Sequence, residues 1–319
     1  MKKMFTKIVI PLDGSALAET VVPFLEKFVS PEKTAIELVS VVEPWRYVYA
    51  AEFADTSLLI NEMQKSTEAY LLKQNQQLSE LGYTVTSHLQ NGDPAAEILS
   101  VAESTGADLI AMTTHGRSGF ARLTLGSVAE RVLHSTKLPI LLVREATHLL
   151  GDNIKQILVP LDGSLRSEQA LPVAENIAKE ADAQVVLLEV VQQLDKKNQE
   201  IVFGKPEKAE EAYASWVDYA EGYLQDIEYR LQGNGINVRY KIGSNDPVAT
   251  ICDTAKNEAC DLVVMGSHGR TGIARWFYGS VASKVMREVE CPVLLVHTHV
   301  EGTPSVPEAD SLLAEFANR

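Results

Sequence analysis

Short runs of β-branched and other apolar residues alternate with longer helical patterns along the whole chain. Several runs are apolar at consecutive positions, which is typical of strands covered by helices on both faces. The first half contains predicted strands at residues 7–12, 36–42, 84–89, 109–112 and 140–143. The second half contains them at 157–161, 185–191, 236–242, 262–265 and 293–296. Strand followed by helix, throughout each half, predicts α/β domains with parallel sheets and right-handed crossovers.

The two halves are copies of one another. The segment KIVIPLDGS at residues 7–15 recurs as QILVPLDGS at 156–164, and LPILLV at 138–143 recurs as CPVLLV at 291–296. A repeat of this length corresponds to a domain rather than to the short unit of a solenoid. We therefore predict one domain at residues 1–147, a second at 153–300 and a C-terminal tail at 301–319.

Helix starts can be placed from the same repeats. Ser15 and Ser164 stand just ahead of the first helix of each repeat, and Asp93 and Asp246 each precede a proline. A capping carboxylate followed by proline is typical of a helix N-terminus. Long amphipathic helices with solvated charged faces are predicted at residues 62–81 and 207–231.

The last strand of each repeat is strongly apolar, and no further strand follows it. A free apolar edge would promote aggregation. We expect the two edges to pair with each other, so that the chain forms a pseudo-dimer, with a homodimer of chains left open. The predicted fold is thus two doubly wound, Rossmann-like domains, each with a five-stranded parallel sheet and helices on both faces.

Composition narrows the function classes. The 319 residues are 45% hydrophobic and carry a net charge of −14, and both halves are acidic. Neither half offers the broad basic surface that nucleic-acid binding requires. A small anion remains compatible, because backbone N–H groups and a few arginines bind it regardless of net charge.

Targeting signals and cysteine chemistry point to the cytoplasm. The basic start leads into a short apolar stretch at residues 8–12, too short for a signal peptide, and no run has the length of a membrane span. Cys252, Cys260 and Cys291 lack a Cys-x-x-Cys spacing, which favours reduced thiols. We predict a cytoplasmic protein with neither a membrane nor a nucleic-acid partner.

Two motifs should meet at one crevice. Ligands of open parallel sheets bind beyond the carboxyl ends of the strands, and the first strand of each repeat ends in Pro-Leu-Asp-Gly-Ser. Asp13 and Asp162 suit hydrogen bonding to a ribose hydroxyl or a base amino group. The alternative is that each aspartate only caps the following helix.

The fourth strand delivers a glycine turn to the same edge. In the second repeat MGSHG at residues 265–269 is followed by Gly279-Ser280, and in the first MTTHG at 112–116 is followed by Gly126-Ser127. Gly266 and Gly269 would let a phosphate approach the backbone, while the Gly-Ser pair opens a helix whose N–H groups face the anion. An ordinary loop with a helix N-cap is the alternative.

These motifs resemble the universal stress protein family and its ATP-binding signature, in two tandem copies that cover nearly the whole chain. A Walker-type phosphate loop is absent. The resemblance implies ATP, or ADP or AMP, as ligand, with Mg²⁺ left open. The implied contacts in the second repeat are Pro160, Asp162, Val190, Gly266, His268, Gly269, Gly279, Ser280 and Val281. Those of a second, weaker site are Pro11, Asp13, Val41, Thr113, His115, Gly116, Gly126, Ser127 and Val128.

Thr113 departs from the signature, because it replaces a glycine. A β-branched residue is costly if the backbone needs a positive φ, and its methyl group occupies phosphate space; either effect costs on the order of 1–3 kcal/mol. The second repeat should therefore bind ATP more tightly. A threonine hydroxyl that bonds a phosphate oxygen is the alternative.

Catalysis is not the favoured interpretation. His115 and His268 invite an acid–base role, but no nucleophile is evident, which favours a structural or ligand-contact role; slow ATP hydrolysis stays open. Neither catalytic residues nor protein metal ligands are predicted. The expected function is a nucleotide-responsive regulator or stress-protection protein. The alternatives are a ligand-free interaction module and an enzyme that forms and transfers an adenylate.

Overall fold

The computed structural model describes residues 5–44, 56–114, 125–144, 153–193, 196–268 and 278–297. The chain divides into two compact units, Met1–Asn153 (unit 1) and Ile154–Arg319 (unit 2). In each unit helices cover both faces of a parallel sheet, as the alternating pattern predicts. The tail at 301–319 lies outside the described residues.

Unit 1 contains all five predicted strands, with ends that shift by one or two residues. Its strands are β1 (Lys7–Pro11), β2 (Ala35–Val42), β3 (Thr84–Asn91), β4 (Leu109–Thr113) and β5 (Ile140–Val143). Its helices are α1 (Ala16–Glu19), α2 (Val21–Leu25), α3 (Thr56–Glu80), α4 (Pro94–Thr105) and α5 (Ser127–Ser135). The predicted long helix at 62–81 is confirmed as α3, which begins earlier.

Unit 2 repeats this succession. Its strands are β6 (Gln156–Leu161), β7 (Gln184–Val191), β8 (Val238–Ser244), β9 (Leu262–Gly266) and β10 (Val293–Val296). Its helices are α6 (Ala170–Ala181), α7 (Lys196–Phe203), α8 (Pro206–Gly233), α9 (Pro247–Asn257) and α10 (Ser280–Glu288). A 3-10 turn, Ser167–Gln169, precedes α6.

Strand β8 begins two residues later than predicted. Gly235, with φ of +81°, follows α8, and the N–H of Ile236 donates to the carbonyl of Leu231 at 3.0 Å. Such a left-handed glycine terminates a helix and satisfies its last carbonyls. Ile236 is 5% exposed, so its apolar side chain is buried although the residue lies outside the strand.

The sheet order is the same in both units. Unit 1 runs β3-β2-β1-β4-β5 and unit 2 runs β8-β7-β6-β9-β10, with parallel pairing inside each sheet. The four residues of β5 and the four of β10 are all buried, as are the five of β4 and of β9. Burial on both faces explains why these strands lack polar alternation.

The predicted caps at Ser15, Asp93 and Asp246 are present, whereas Ser164 precedes a 3-10 turn and is not the N-cap of α6. The carboxylate of Asp93 accepts the N–H of Ala96 at 3.0 Å, and that of Asp246 accepts the N–H of Ala249 at 2.9 Å. Ser15 caps α1 by accepting the N–H of Ala18 at 3.1 Å. These bonds satisfy N–H groups that a helix start leaves without an intrahelical acceptor.

The region after the second strand differs between the units. The polar stretch at 195–208 of unit 2 contains α7 and the start of α8, and the rings of Phe203 and Trp216 lie 6.3 Å apart. The aromatic stretch at 45–49 of unit 1 lies outside the described residues. Among the helices that the structure describes, none combines the length and apolar character needed to cross a membrane.

The three cysteines are free thiols. Cys260 and Cys291 are buried, and burial raises the pKa of the Cys260 thiol to about 12. Because the thiolate is the reactive form, a thiol of raised pKa is inert near neutral pH. Cys260 and Cys291 therefore fit a packing role.

Candidate functional site

The first and fourth strands of each unit lie side by side. Strand β1 pairs with both β2 and β4, and β6 pairs with both β7 and β9. The order reverses between these strands, so the connections that follow them leave in opposite directions and open a crevice at the carboxyl ends. Both sequence motifs of each unit follow strands that end at this edge.

The aspartate of Pro-Leu-Asp-Gly-Ser organises its own turn. Asp13 Oδ1 accepts the N–H of Ser15 at 3.0 Å and its hydroxyl at 2.6 Å. Asp162 Oδ1 makes the same two bonds with Ser164, at 3.1 and 2.6 Å. Side-chain bonding to a backbone group two residues on is the local pattern that aspartate favours in turns.

The glycine between these residues is required by its backbone conformation. Gly14 has φ of 80° and Gly163 has φ of 76°, values that residues with a Cβ rarely adopt. The idea that each aspartate caps the following helix is wrong in detail. In unit 1 Ser15 is the cap and Asp13 holds that serine, and in unit 2 Ser164 Oγ accepts the N–H of Ser167 at 3.2 Å.

The glycine turn of unit 2 begins inside the sheet. Gly266 is the last residue of β9 and lies opposite Val296. The next residue, Ser267, is fully buried and donates its N–H to the carbonyl of Val296 at 2.8 Å. Its own carbonyl accepts the N–H of Gly279 at 2.9 Å, so the chain returns to the strand end before α10 begins.

Unit 1 closes its loop in the same way. Thr113 ends β4 opposite Val143, Thr114 donates its N–H to the Val143 carbonyl at 3.0 Å, and Gly126 donates to the Thr114 carbonyl at 2.7 Å. Neither Thr113 nor Gly266 is among the described residues with positive φ. The expectation of backbone strain at Thr113 is therefore wrong, and only the side chain distinguishes the two positions.

Helices α5 and α10 begin without a side-chain cap. Gly126 and Gly279 are their N-cap residues, with ψ of 147° and 149°, and neither helix has a side-chain capping bond. The N–H groups of the first turn, which include Ser127, Val128, Ser280 and Val281, have no intrahelical acceptor. Together with the helix dipole they make the edge suited to an anion.

The second strands contribute different walls. Val190 lies opposite Gly243, where an added Cβ would lie 2.4 Å from Thr250 Cγ2 and 3.3 Å from Val190 Cγ2. In unit 1, Val41 lies opposite Gln90. The residue paired with the predicted adenosine contact is thus glycine in unit 2 and glutamine in unit 1.

A tyrosine–glutamate pair that sequence reasoning missed occurs in both units. The Tyr70 hydroxyl donates to Glu19 Oε1 at 3.0 Å, and the Tyr223 hydroxyl donates to Glu168 Oε1 at 3.2 Å. Burial, followed by the charge of Glu168, raises the pKa of Tyr223 above the usual tyrosine range, so this hydroxyl stays a donor. Each pair ties the long helix to the segment after the aspartate turn. The sequence signal that could have revealed these pairs is the presence of the same tyrosine and the same glutamate at equivalent positions of both repeats.

Unit 2 has an aromatic group at its glycine turn. The rings of His268 and Tyr278 are stacked with centroids 6.4 Å apart, and the Tyr278 hydroxyl oxygen lies 3.2 Å from His297 Nε2. Of these three residues, only His268 belongs to the predicted site. Other predicted contacts fall outside the described residues, namely His115, Gly116 and Gly269.

Comparison with known proteins identifies the family. The model of the universal stress protein family matches residues 4–144 and again 153–297. The chain belongs to this family. Universal stress protein MJ0531 of Methanocaldococcus jannaschii is 34% identical over 149 residues, which cover 46% of this chain and 84% of that protein.

Two further relatives match along most of the chain. A universal stress protein of Mycolicibacterium smegmatis is 25% identical over 300 residues, covering 91% of this chain and 96% of its own. The crystal structure of a universal stress protein from Archaeoglobus fulgidus is 22% identical and covers 92% of this chain and 98% of its own, with a TM-score of 0.67. The tandem arrangement and the fold are therefore shared with known members.

Proposed function

We propose that this universal stress protein binds adenine nucleotides, ATP foremost, in the carboxyl-edge crevice of each unit. The observation that carries the proposal is the adjacency of two features on neighbouring strands. An aspartate turn follows the first strand, and an uncapped glycine-led helix follows the fourth. One feature suits a nucleoside and the other suits phosphates.

The roles follow from chemistry. In unit 2 the nucleoside would lie against Pro160, Asp162 and Val190, and the phosphates would accept N–H groups at the start of α10. Ser280 is exposed and offers its hydroxyl. A magnesium ion would be held mainly by phosphate oxygens and water, with this hydroxyl as a further oxygen ligand, since Mg²⁺ keeps several waters in such sites.

Nucleotide occupancy would act as a signal rather than as a step of turnover. A ligand that binds one conformation better than another shifts the population toward it. ATP, ADP and AMP differ only in the number of their phosphates. A helix end that binds these phosphates with different affinities would therefore make the bound state depend on the energy state of the cell. Regulation or stress protection would then follow from changed partner binding.

We propose that unit 2 is the stronger site. Gly266 has no side chain at the strand end, whereas Thr113 places a methyl and a hydroxyl at the same position of unit 1, where the threonine is only 7% exposed. A methyl group in phosphate space costs about 1–3 kcal/mol, or roughly tenfold to more than a hundredfold in affinity.

Calorimetric titration of ATP into Gly279→Asp and Gly126→Asp variants tests the proposal. Both glycines have φ near −60°, and aspartate is a favoured N-cap, so folding should tolerate the change while the carboxylate repels phosphate. We expect Gly279→Asp to remove the tighter binding event and Gly126→Asp the weaker one. Gly279→Asn is the uncharged control of equal size.

An equal loss of ATP affinity in both variants would contradict the proposal that unit 2 is the stronger site. Mass spectrometry of nucleotide released from the purified protein identifies the ligand among ATP, ADP, AMP and cyclic nucleotides. If no nucleotide is recovered and millimolar ATP does not bind, the chain is a ligand-free interaction module. Rapid pyrophosphate release stimulated by a second substrate would instead indicate an adenylate-forming enzyme.

A further inference from the structure

Tyr278 occupies a distinctive place in unit 2. It directly precedes Gly279, whose N–H closes the loop onto the Ser267 carbonyl at 2.9 Å and whose position starts α10. On one side its ring stacks on His268 at an interplanar angle of 16°. On the other side its ring centroid lies 5.7 Å from that of His297. The ring therefore spans from the end of β9 to the end of β10.

Hydrogen bonds fix both flanking imidazoles. The Tyr278 hydroxyl oxygen lies 3.2 Å from His297 Nε2, and Ser267 Oγ lies 3.0 Å from His268 Nδ1. Burial raises the pKa of Tyr278 above the usual tyrosine range, which keeps the hydroxyl protonated. The phenol donates to His297 Nε2 when that nitrogen carries no proton, and the ring stack joins Tyr278 to His268, so the three side chains connect the end of β9 to the end of β10.

Unit 1 lacks this arrangement although its backbone closes in the same way. Leu125 stands where unit 2 has Tyr278, and Arg144 stands where it has His297. The Gly126 N–H still donates to the Thr114 carbonyl at 2.7 Å. Loop closure itself thus does not need the tyrosine, and the bond between Tyr278 and His297 is an additional constraint found in unit 2.

The first N–H groups of α10 are the proposed phosphate donors, and their orientation depends on where Gly279 is held. N–H groups that are held in place before the ligand arrives bind it more tightly, because less conformational freedom is lost on binding. A side chain one residue before the N-cap, fastened to the last strand, supplies such a constraint. The nucleoside would sit beyond the first two strands, on the other side of the crevice.

We propose that Tyr278 is a positioning residue for the phosphate donors of unit 2, and that its hydroxyl bond to His297 makes this unit select nucleotides by their phosphate chain. The inference depends on the proposed nucleotide function. It predicts that losing the hydroxyl weakens binding of ATP and leaves binding of adenosine unchanged, because adenosine has no phosphate.

The test uses full-length Gly126→Asp protein, so that ATP binding reports on unit 2. ATP affinity is measured by calorimetry and adenosine affinity by competition with ATP. We expect Tyr278→Phe to weaken ATP about threefold to tenfold, the effect of one neutral hydrogen bond, with adenosine changed less than twofold. His297→Ala should reproduce the loss, and His297→Gln, whose amide oxygen accepts a hydrogen bond, should recover most of it.

Tyr240→Phe is the matched control. It removes another tyrosine hydroxyl of unit 2, which donates to Glu221 at 3.0 Å. Tyr240 lies on β8, the strand farthest from β10 in the sheet of unit 2, so the change should alter the affinity for neither ATP nor adenosine. Unchanged ATP affinity in Tyr278→Phe, or an equal loss for ATP and adenosine, overturns the positioning role while the nucleotide function stands. Absence of ATP binding in the parent protein overturns both.

Discussion

At the scale of single residues, the glycine at position 243 is explained by the side chain that packs against it. Gly243 is extended and needs no left-handed conformation, yet a Cβ there would lie 2.4 Å from Thr250 Cγ2. Threonine is stiff at χ1, and its hydroxyl donates to the Ser244 carbonyl at 2.8 Å, so the methyl group has little freedom to move away. The glycine is required by this contact.

Gly243→Ala should therefore destabilise unit 2 by about 1–3 kcal/mol, the usual cost of forcing an extra methyl group into a packed contact. Thr250→Ser deletes the obstructing methyl and retains the hydroxyl bond, so the double variant should recover most of the loss. Urea unfolding followed by circular dichroism measures both. Gly222→Ala is the control, because a Cβ there meets nothing within 4 Å and alanine favours the helix. An unaffected single variant would refute the close contact.

At the scale of elements, helices near the two crevices are anchored differently. In unit 1 the Asp93 carboxylate both caps α4 and binds Arg131 of α5, at 2.5 and 2.6 Å. In unit 2, Asp246 caps α9 in the same manner, and Lys284 occupies the position of the arginine. Arginine forms the planar two-bond pair with a carboxylate that lysine cannot form.

The hydrogen bond from Arg131 holds the pKa of Asp93 below its usual range. A carboxyl whose folded-state pKa is depressed stabilises the fold above its unfolded pKa, and this contribution is lost as pH falls through the folded pKa. Asp93→Asn keeps a good cap but loses the ion pair. We expect its melting temperature to be lower by about 1–3 °C at pH 7, since the pair is exposed, and equal to that of the parent once the pH is below the folded pKa.

Asp246→Asn is the matched control for this experiment. It replaces the capping aspartate of unit 2 by another good cap, and no arginine pair is lost because Lys284 stands in the place of Arg131. Thermal melts of both variants from pH 7 to a pH below the folded pKa of Asp93 separate the cap from the ion pair. A pH-independent difference between Asp93→Asn and the parent protein would mean that the cap, rather than Arg131, carries the effect.

At the scale of the whole chain, sequence reasoning predicted what repeats and local patterns determine. The buried strands, the caps at Asp93 and Asp246 and the long helices were found because periodicity and capping are local signals. Pairs such as Tyr223–Glu168 and Tyr278–His297 join residues far apart in sequence, which periodicity does not report. The turn role of Asp162 was missed because a carboxylate before a helix equally suggests a cap.

The duplication allows one last prediction, because each unit is a control for the other. Gly266→Thr should weaken ATP at unit 2 by roughly tenfold to a hundredfold, through side-chain volume at the strand end. Thr113→Gly should strengthen unit 1 to a similar degree. Both changes occur at extended strand positions, where threonine is a favoured residue, so the Gly266→Thr fold should be retained.

Calorimetry in single-site backgrounds measures these effects, with Gly126→Asp isolating unit 2 and Gly279→Asp isolating unit 1. Thr113→Val separates the two groups on the threonine, since valine keeps the branched shape and lacks the hydroxyl. If the methyl obstructs phosphate, valine binds as weakly as threonine and glycine binds more tightly. If both glycine and valine weaken binding, the hydroxyl contacts a phosphate oxygen, and Thr113 is a ligand of unit 1 rather than an obstacle.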